Sequence, residues 1–313
     1  MSARFPIIDV SAWLPDRDEP MGSKRKLWLV DPDKGRWLFK FRRTQPCGVP
    51  AGEDWAEKLA AQIARLMGIP CADVEMGRYN GELGSLGRDF IKDRRTFGLI
   101  HGNEIIRDLI DPAYPADAKT MRIQEHTVQR VLAALSHPSV GLPDKFPLPE
   151  IIQGPAQLFV GYLLLDATIS NSDRHHENWG IIVRRGTNNA ELAPTFDHAS
   201  SLGRELSDDE RTERLKTKDK NRSLARYAER TPSRFFRVST ERRPLHPREA
   251  FQIAAEGQPE AAAIWLQRLG SLSIETLGDV ISRVPPESMT AATADFTIAL
   301  LNYNINALLK LSR

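Results

Sequence analysis

One helix constrains this chain more than any other feature. Across Pro155–Ile169 the middle residues, 158–165, are apolar nearly all round. A helix apolar on every side has to be enclosed by other elements, and this run is far too short to cross a bilayer. It therefore reads as the central helix of a lobe, opened by Pro155 at the first helical position, where a missing N–H costs nothing. A polar loop follows, then a strand over 179–183, a turn over 186–189 and a second strand over 191–196. With 313 residues there is material for one large domain or two lobes with sizeable cores.

The N-terminal part has a different texture. Lys26–Val30 and Arg36–Phe41 read as strands, and residues 31–35 between them supply turn chemistry, so the two form a hairpin. Over 52–68 the period becomes helical, with Trp55, Leu59, Ile63 and Leu66 as the apolar stripe and Gly68 and Pro70 as the stop. Two more strands are expected over 71–76 and 84–91, around the Asn80–Gly81 turn. Beyond Lys92 helices and loops dominate, with a helix over 121–135, a charge-dense surface loop or frayed helix over 204–222, and helices from about 248 to the end. The expected fold is α+β: a β-rich small lobe with one helix over residues 1–92, and a mostly helical large lobe over 93–313.

Composition excludes several classes. Apolar residues make up 41% and charged residues 27%, ordinary for a soluble globular protein. A formal net charge of +2 gives no general case for binding nucleic acid, and the short basic clusters at 24–26, 42–43 and 94–95 lie among interspersed acids. Two cysteines, Cys47 and Cys71, make no disulfide framework and fit a reducing cytosol. The first residues lack the basic-then-apolar pattern of a signal peptide. A cytoplasmic protein with no membrane association is expected.

The loop after the central helix carries the chemistry. Asp173 and Asn178 lie between a buried helix and a strand. Phosphoryl transfer needs a carboxylate to orient and deprotonate an attacking hydroxyl, and a nearby neutral oxygen ligand for magnesium. Alone, such a pair would read as loop residues that bond their own backbone. The following strands lead to Asp197, a second candidate metal carboxylate. Upstream, alternation along 37–41 sets Trp37, Phe39 and Phe41 on one face and Leu38 and Lys40 on the other. Lys40 on the inner face would reach phosphates if a carboxylate held it, with Glu57 the natural holder and Glu53 its rival. Gly22, Ser23 and Lys24 form a short candidate phosphate-covering turn. Each signal is weak singly, but together they follow the chain order of a kinase active site. His175, His176 and His198 lack zinc-site spacing, and His175 reads as an anchor for the loop.

These residues resemble the HipA-like kinases, the toxin kinases of bacterial toxin–antitoxin systems, and their compact relatives. The resemblance rests on Asn171, Ser172, Asp173, His175 and Asn178, on Phe196 with Asp197, on Lys40, and on Glu57 through its spacing to Gly68. It covers roughly residues 20–300 and is most specific in the catalytic loop. It implies Asp173 as catalytic base, Asn178 and Asp197 as magnesium ligands, and Lys40 on the ATP phosphates. It further implies a hinge at Asp89 and Phe90 whose backbone meets adenine, and regulation by self-phosphorylation at Ser23. The implied acceptor is a serine or threonine hydroxyl of a cytoplasmic protein, with an antitoxin as partner. The chain departs from the family in starting almost at the small lobe and in having His198 and Ala199 after Asp197. The wording around Asp173 is also similar to that of phosphatidylinositol kinases, which keeps a lipid or small-molecule acceptor open. A catalytically inactive kinase fold serving as a binding module is the other alternative, against which the complete set Lys40, Glu57, Asp173, Asn178 and Asp197 argues.

Overall fold

In the computed structural model, which describes residues 3–16, 25–44, 48, 50–91, 93–117, 122–144 and 146–312, the chain opens with β1 (Ile7–Asp9) and β2 (Leu14–Pro15). Gly22, Ser23 and Lys24 lie outside the described residues. The expected hairpin follows as β3 (Lys26–Val30) and β4 (Arg36–Phe41), with Lys26 opposite Lys40. Its turn closes on Asp31, whose carboxylate accepts from the Gly35 N–H at 2.6 Å. Then come α1 (Glu53–Leu66), β5 (Val74–Tyr79) and β6 (Glu82–Arg88). These strands make a six-stranded sheet in the order β1-β5-β6-β4-β3-β2, antiparallel except for the β1–β5 pair. Strands β5 and β6 start later and earlier, respectively, than the apolar runs imply, because ladder pairing around the Asn80–Gly81 turn sets their register.

Alternation along β4 works as read. Phe39 is fully buried with Val10, Leu29 and Leu86, and Trp37 and Phe41 pack against that cluster. Lys40 is thereby turned to the opposite face. Burial defines α1 even more strongly: Trp55, Leu59 and Ile63 join a core that continues into the helical part of the molecule.

That part begins with β7 (Phe97–His101) and α2 (Gly102–Leu109), neither expected from the sequence. Next are α3 (Val128–Leu135), β8 (Val140–Gly141), α4 (Pro155–Ile169), β9 (Gly180–Arg184) and β10 (Ala190–Leu192). A second sheet orders as β7-β9-β10-β8. The helix expected over 121–135 is confined to its second half, because Thr127 caps it by accepting from the Arg130 N–H at 3.3 Å. Helix α4 has the expected bounds and is buried along its length except at Gln157, with Gly161 seated under the Trp265 ring.

The segment expected as loop or frayed helix contains α5 (Asp208–Lys216), followed by α6 (Leu224–Arg230). A Ser207–Glu210 capping box starts α5 despite its poverty in apolar residues. The chain ends with α7 (Pro247–Gly257), α8 (Pro259–Gly270), α9 (Ile274–Ser282) and α10 (Ala291–Leu309); α7, α8 and α10 pack around α4, and α9 packs on α10 and α1. Among the described residues no helix is long and apolar enough to cross a membrane.

Candidate active site

The loop after α4 is held by charges inside the core. Ser170 leaves the helix with φ 53°, in the left-handed region. Asp166, the one charged residue of α4, accepts from Arg174 Nε and Nη2 at 2.8 Å each, and Arg174 is 1% exposed. Arg174 Nη1 donates onward to the carbonyls of Asn178 at 2.7 Å and Phe196 at 3.2 Å. Burial works to lower the Arg174 pKa, but Asp166 outweighs it and keeps the guanidinium charged. Asn171 completes the brace, donating to Asp166 Oδ1 at 2.8 Å and accepting from the Asp173 N–H at 3.1 Å. Although next to Asp173 in the chain, Arg174 is therefore a buried strut committed to Asp166 and to two backbone carbonyls.

The arginine beside Asp173 is Arg234, which sequence reading missed. Its Nε donates to Asp173 Oδ1 at 3.0 Å. Arg234 is placed in turn by His126, whose Nδ1 bonds the Arg234 carbonyl at 3.1 Å and whose Nε2 accepts from Trp179 Nε1 at 3.3 Å. That pattern fixes a neutral imidazole with the proton on Nδ1. Burial, aided by His176, His175 and Arg174 nearby, outweighs the bond to the Arg234 carbonyl and depresses the His126 pKa to about 3. Asn178 Nδ2 donates to the Asp173 carbonyl at 2.7 Å, so the amide oxygen is turned away from that bond. His175 accepts from the Glu177 N–H at 3.2 Å, and burial lowers its pKa against the pull of Asp173 and Asp197.

From the sheet side, Lys40 Nζ meets Asp197 Oδ1 at 3.0 Å. Both side chains stay about one-third exposed, at 31% and 29%, so a ligand can reach them. Burial pulls the Lys40 pKa down, but Asp197, Glu57 and Asp173 together raise it above the usual lysine value. The expected ion pair between Lys40 and Glu57 is not made. Glu57 Oε1 instead accepts from the His198 N–H at 2.9 Å and lies 3.4 Å from His198 Nδ1. A carboxylate from α1 thus anchors the backbone just after Asp197, which itself sits at φ 58°. His198 Nε2 bonds Thr195 Oγ1 at 2.8 Å. The rival Glu53 is taken up by Arg43 and by Arg204 at 3.2 Å.

At the expected hinge, Asp89 is committed to the protein. Its carboxylate accepts from Arg36 at 3.0 Å, Arg94 at 2.6 Å and the Ile91 N–H at 3.0 Å, and its own N–H donates to the Arg36 carbonyl at 2.8 Å. Phe90 lies against Phe196, with ring centroids 5.6 Å apart, and so borders the residue before Asp197. Three segments distant in sequence therefore bring together Lys40, the Asp173–Asn178 loop and Asp197. One carboxylate and one amide oxygen are donors suited to a hard dication that keeps water and phosphate as its other ligands, so the donor set fits magnesium.

No family model matches this chain, and no curated protein matches it. Solved structures do. The proinflammatory kinase CtkA of Helicobacter pylori superposes with a TM-score of 0.75 at 17% identity, over 98% of this chain and 97% of that one. The HipA structure with HipB and operator DNA, from the toxin–antitoxin system of Shewanella oneidensis MR-1, gives a TM-score of 0.54 at 11% identity, over 98% of this chain and 67% of that one. The chain has the α+β, protein-kinase-like fold of these proteins.

Proposed function

We propose that this chain is an ATP-dependent serine/threonine protein kinase, with residues 1–92 as the nucleotide-binding lobe and 93–313 carrying the catalytic and metal-binding loops. The observation that carries the reading is the 3.0 Å meeting of Lys40 and Asp197 beside a loop in which Asn178 is bonded to Asp173 at 2.7 Å. Magnesium–ATP, when bound, supplies the phosphoryl group and the metal charge that offsets its oxygens. Asn178 Oδ1 and the Asp197 carboxylate are the residues that would hold the metal, and Lys40 offers its charge to the phosphates. Phe90, against Phe196, would line the adenine end. Arg234 fixes Asp173 Oδ1, which leaves Oδ2 to orient the acceptor hydroxyl and take its proton. The protein acceptor, a toxin role and an antitoxin partner extend from the resemblance of the catalytic loop to HipA-like kinases. A HipA–HipB complex among the structural neighbours supports the partner.

The test is transfer from ATP labelled on its γ-phosphate into cell lysate, for wild type and Asp173→Asn. Label should enter protein, with magnesium required. Asp173→Asn should bind magnesium–ATP with similar affinity while transfer falls by about 10²–10⁴. Label in lipid instead would redirect the acceptor, and undiminished transfer by the variant would remove Asp173 from the chemistry.

A further inference from the structure

Next to the catalytic loop lies a cavity of about 540 Å³ into which five arginines converge: Arg204, Arg214, Arg226, Arg230 and Arg234. They arrive from the stretch after Asp197, from α5, from α6 and from the segment beyond it. With a net charge of only +2 on the whole chain, this concentration is local rather than general. Arg234 is answered by Asp173 at 3.0 Å and Arg204 by Glu53 at 3.2 Å. Among the described residues, Arg214, Arg226 and Arg230 make no salt bridge. The Nε atoms of Arg204, Arg214 and Arg226 are buried without a hydrogen-bond partner. The one carboxylate in the wall, Glu205, accepts from the Tyr227 hydroxyl at 2.7 Å.

Gathering guanidinium groups costs repulsion and desolvation, and an anion in their midst offsets both. The planar fork of arginine matches phosphate and carboxylate oxygens in pairs. Position says which anion. Ser172 lines the cavity and precedes Asp173, and Arg234 belongs to the cavity while bonded to Asp173. A polypeptide whose hydroxyl sits over Asp173 advances about 3.3 Å per extended residue, so side chains close to that hydroxyl fall into the cavity.

Resting on the protein-kinase reading, we infer that this cavity selects the acceptor by receiving an anionic side chain near its phosphorylated hydroxyl, either a phosphoserine or phosphothreonine or a run of glutamate and aspartate. Arg214, Arg226 and Arg230 provide the binding charge, and Arg234 ties the bound anion to the position of Asp173.

The experiment uses the full chain and fluorescent peptides with one serine flanked by glutamates, by phosphoserine or by lysines. Binding is read by anisotropy with magnesium and a non-hydrolysable ATP analogue, and transfer is read with ATP. The acidic peptides should bind about tenfold or more tightly than the lysine peptide, with an advantage that shrinks as salt rises. The double variant Arg226→Gln/Arg230→Gln should lose that advantage and raise KM for the acidic peptides, with KM for ATP and the rate on the lysine peptide unchanged. Arg230 is exposed, so Arg230→Glu serves as a second variant if the double one melts early. Preference for glutamate over phosphoserine, or the reverse, identifies the anion. Equal binding of all peptides, or a preference that survives both variants, would overturn the inference. So would an RNA oligonucleotide that displaces the phosphoserine peptide more readily than the unlabelled peptide does. Selective binding without transfer to any peptide would uphold the cavity and sink the kinase reading instead.

Discussion

Two buried side chains decide the geometry of the catalytic loop. Asp166 and Arg174 form a two-bond pair inside the core, and Arg174 carries the backbone on both sides of the site through the Asn178 and Phe196 carbonyls. Breaking such a pair from one side leaves an uncompensated buried charge. Asp166→Asn should therefore destabilise the fold by about 3–5 kcal/mol, measured by urea unfolding. A loss near zero would mean that Arg174 finds water or another acceptor. The pair was readable in part, since a single carboxylate in an otherwise apolar helix demands a buried cation. Arg234 gave no such signal, because it meets Asp173 from sixty-one residues away through an irregular segment.

At the level of elements, strand spacing and one helix-to-loop tether set the active residues. Gly84 faces Phe41 across the β4–β6 ladder, and a Cβ there would lie 2.3 Å from the Lys40 carbonyl. Gly84→Ala must push the strands apart. It should cost about 1–3 kcal/mol and raise KM for ATP, checked by thermal unfolding together with nucleotide titration. The tether is Glu57, which fixes α1 to the backbone after Asp197 through the His198 N–H. Glu57→Gln keeps an accepting oxygen and Glu57→Ala does not, so alanine should lower phosphoryl transfer more than glutamine. Equal losses would mean that the charge of Glu57 near Lys40, rather than its hydrogen bond, is what matters. The Ser207–Glu210 box that starts α5 was present in the sequence, but helix starts are weak signals where no apolar stripe follows.

For the molecule as a whole, acid should act through His126, which links α3, β9 and the Arg234 segment. Its pKa is held near 3 in the fold, against about 6.5 in an unfolded chain. Below about pH 6.5 the unfolded state takes a proton that the folded state refuses, so stability falls as pH drops from there toward 3. Between pH 6.5 and 5 the loss is about 2 kcal/mol from this one residue. Urea midpoints at pH 7 and pH 5 should record it, and His126→Gln should remove about half of the difference, because burial also lowers the His176 pKa to about 4 and leaves that residue's share in place. A variant with the same acid slope would assign the effect elsewhere.

By itself the sequence determined the α+β class, the β3–β4 hairpin, the bounds of α4 and the inward turn of Lys40. These depend on periodicity and on turn residues, which act over a few positions. It also marked Asp173, Asn178 and Asp197 as candidates, through their place in a polar loop and at a strand exit. Only the tertiary structure decided who pairs with whom. Lys40 meets Asp197 rather than Glu57, Arg174 turns into the core, Arg234 takes the place beside Asp173, and five arginines share one cavity. Long charged side chains can reach several partners. Their choice depends on desolvation and on where the backbone of distant segments comes to rest, and neither is written in local pattern.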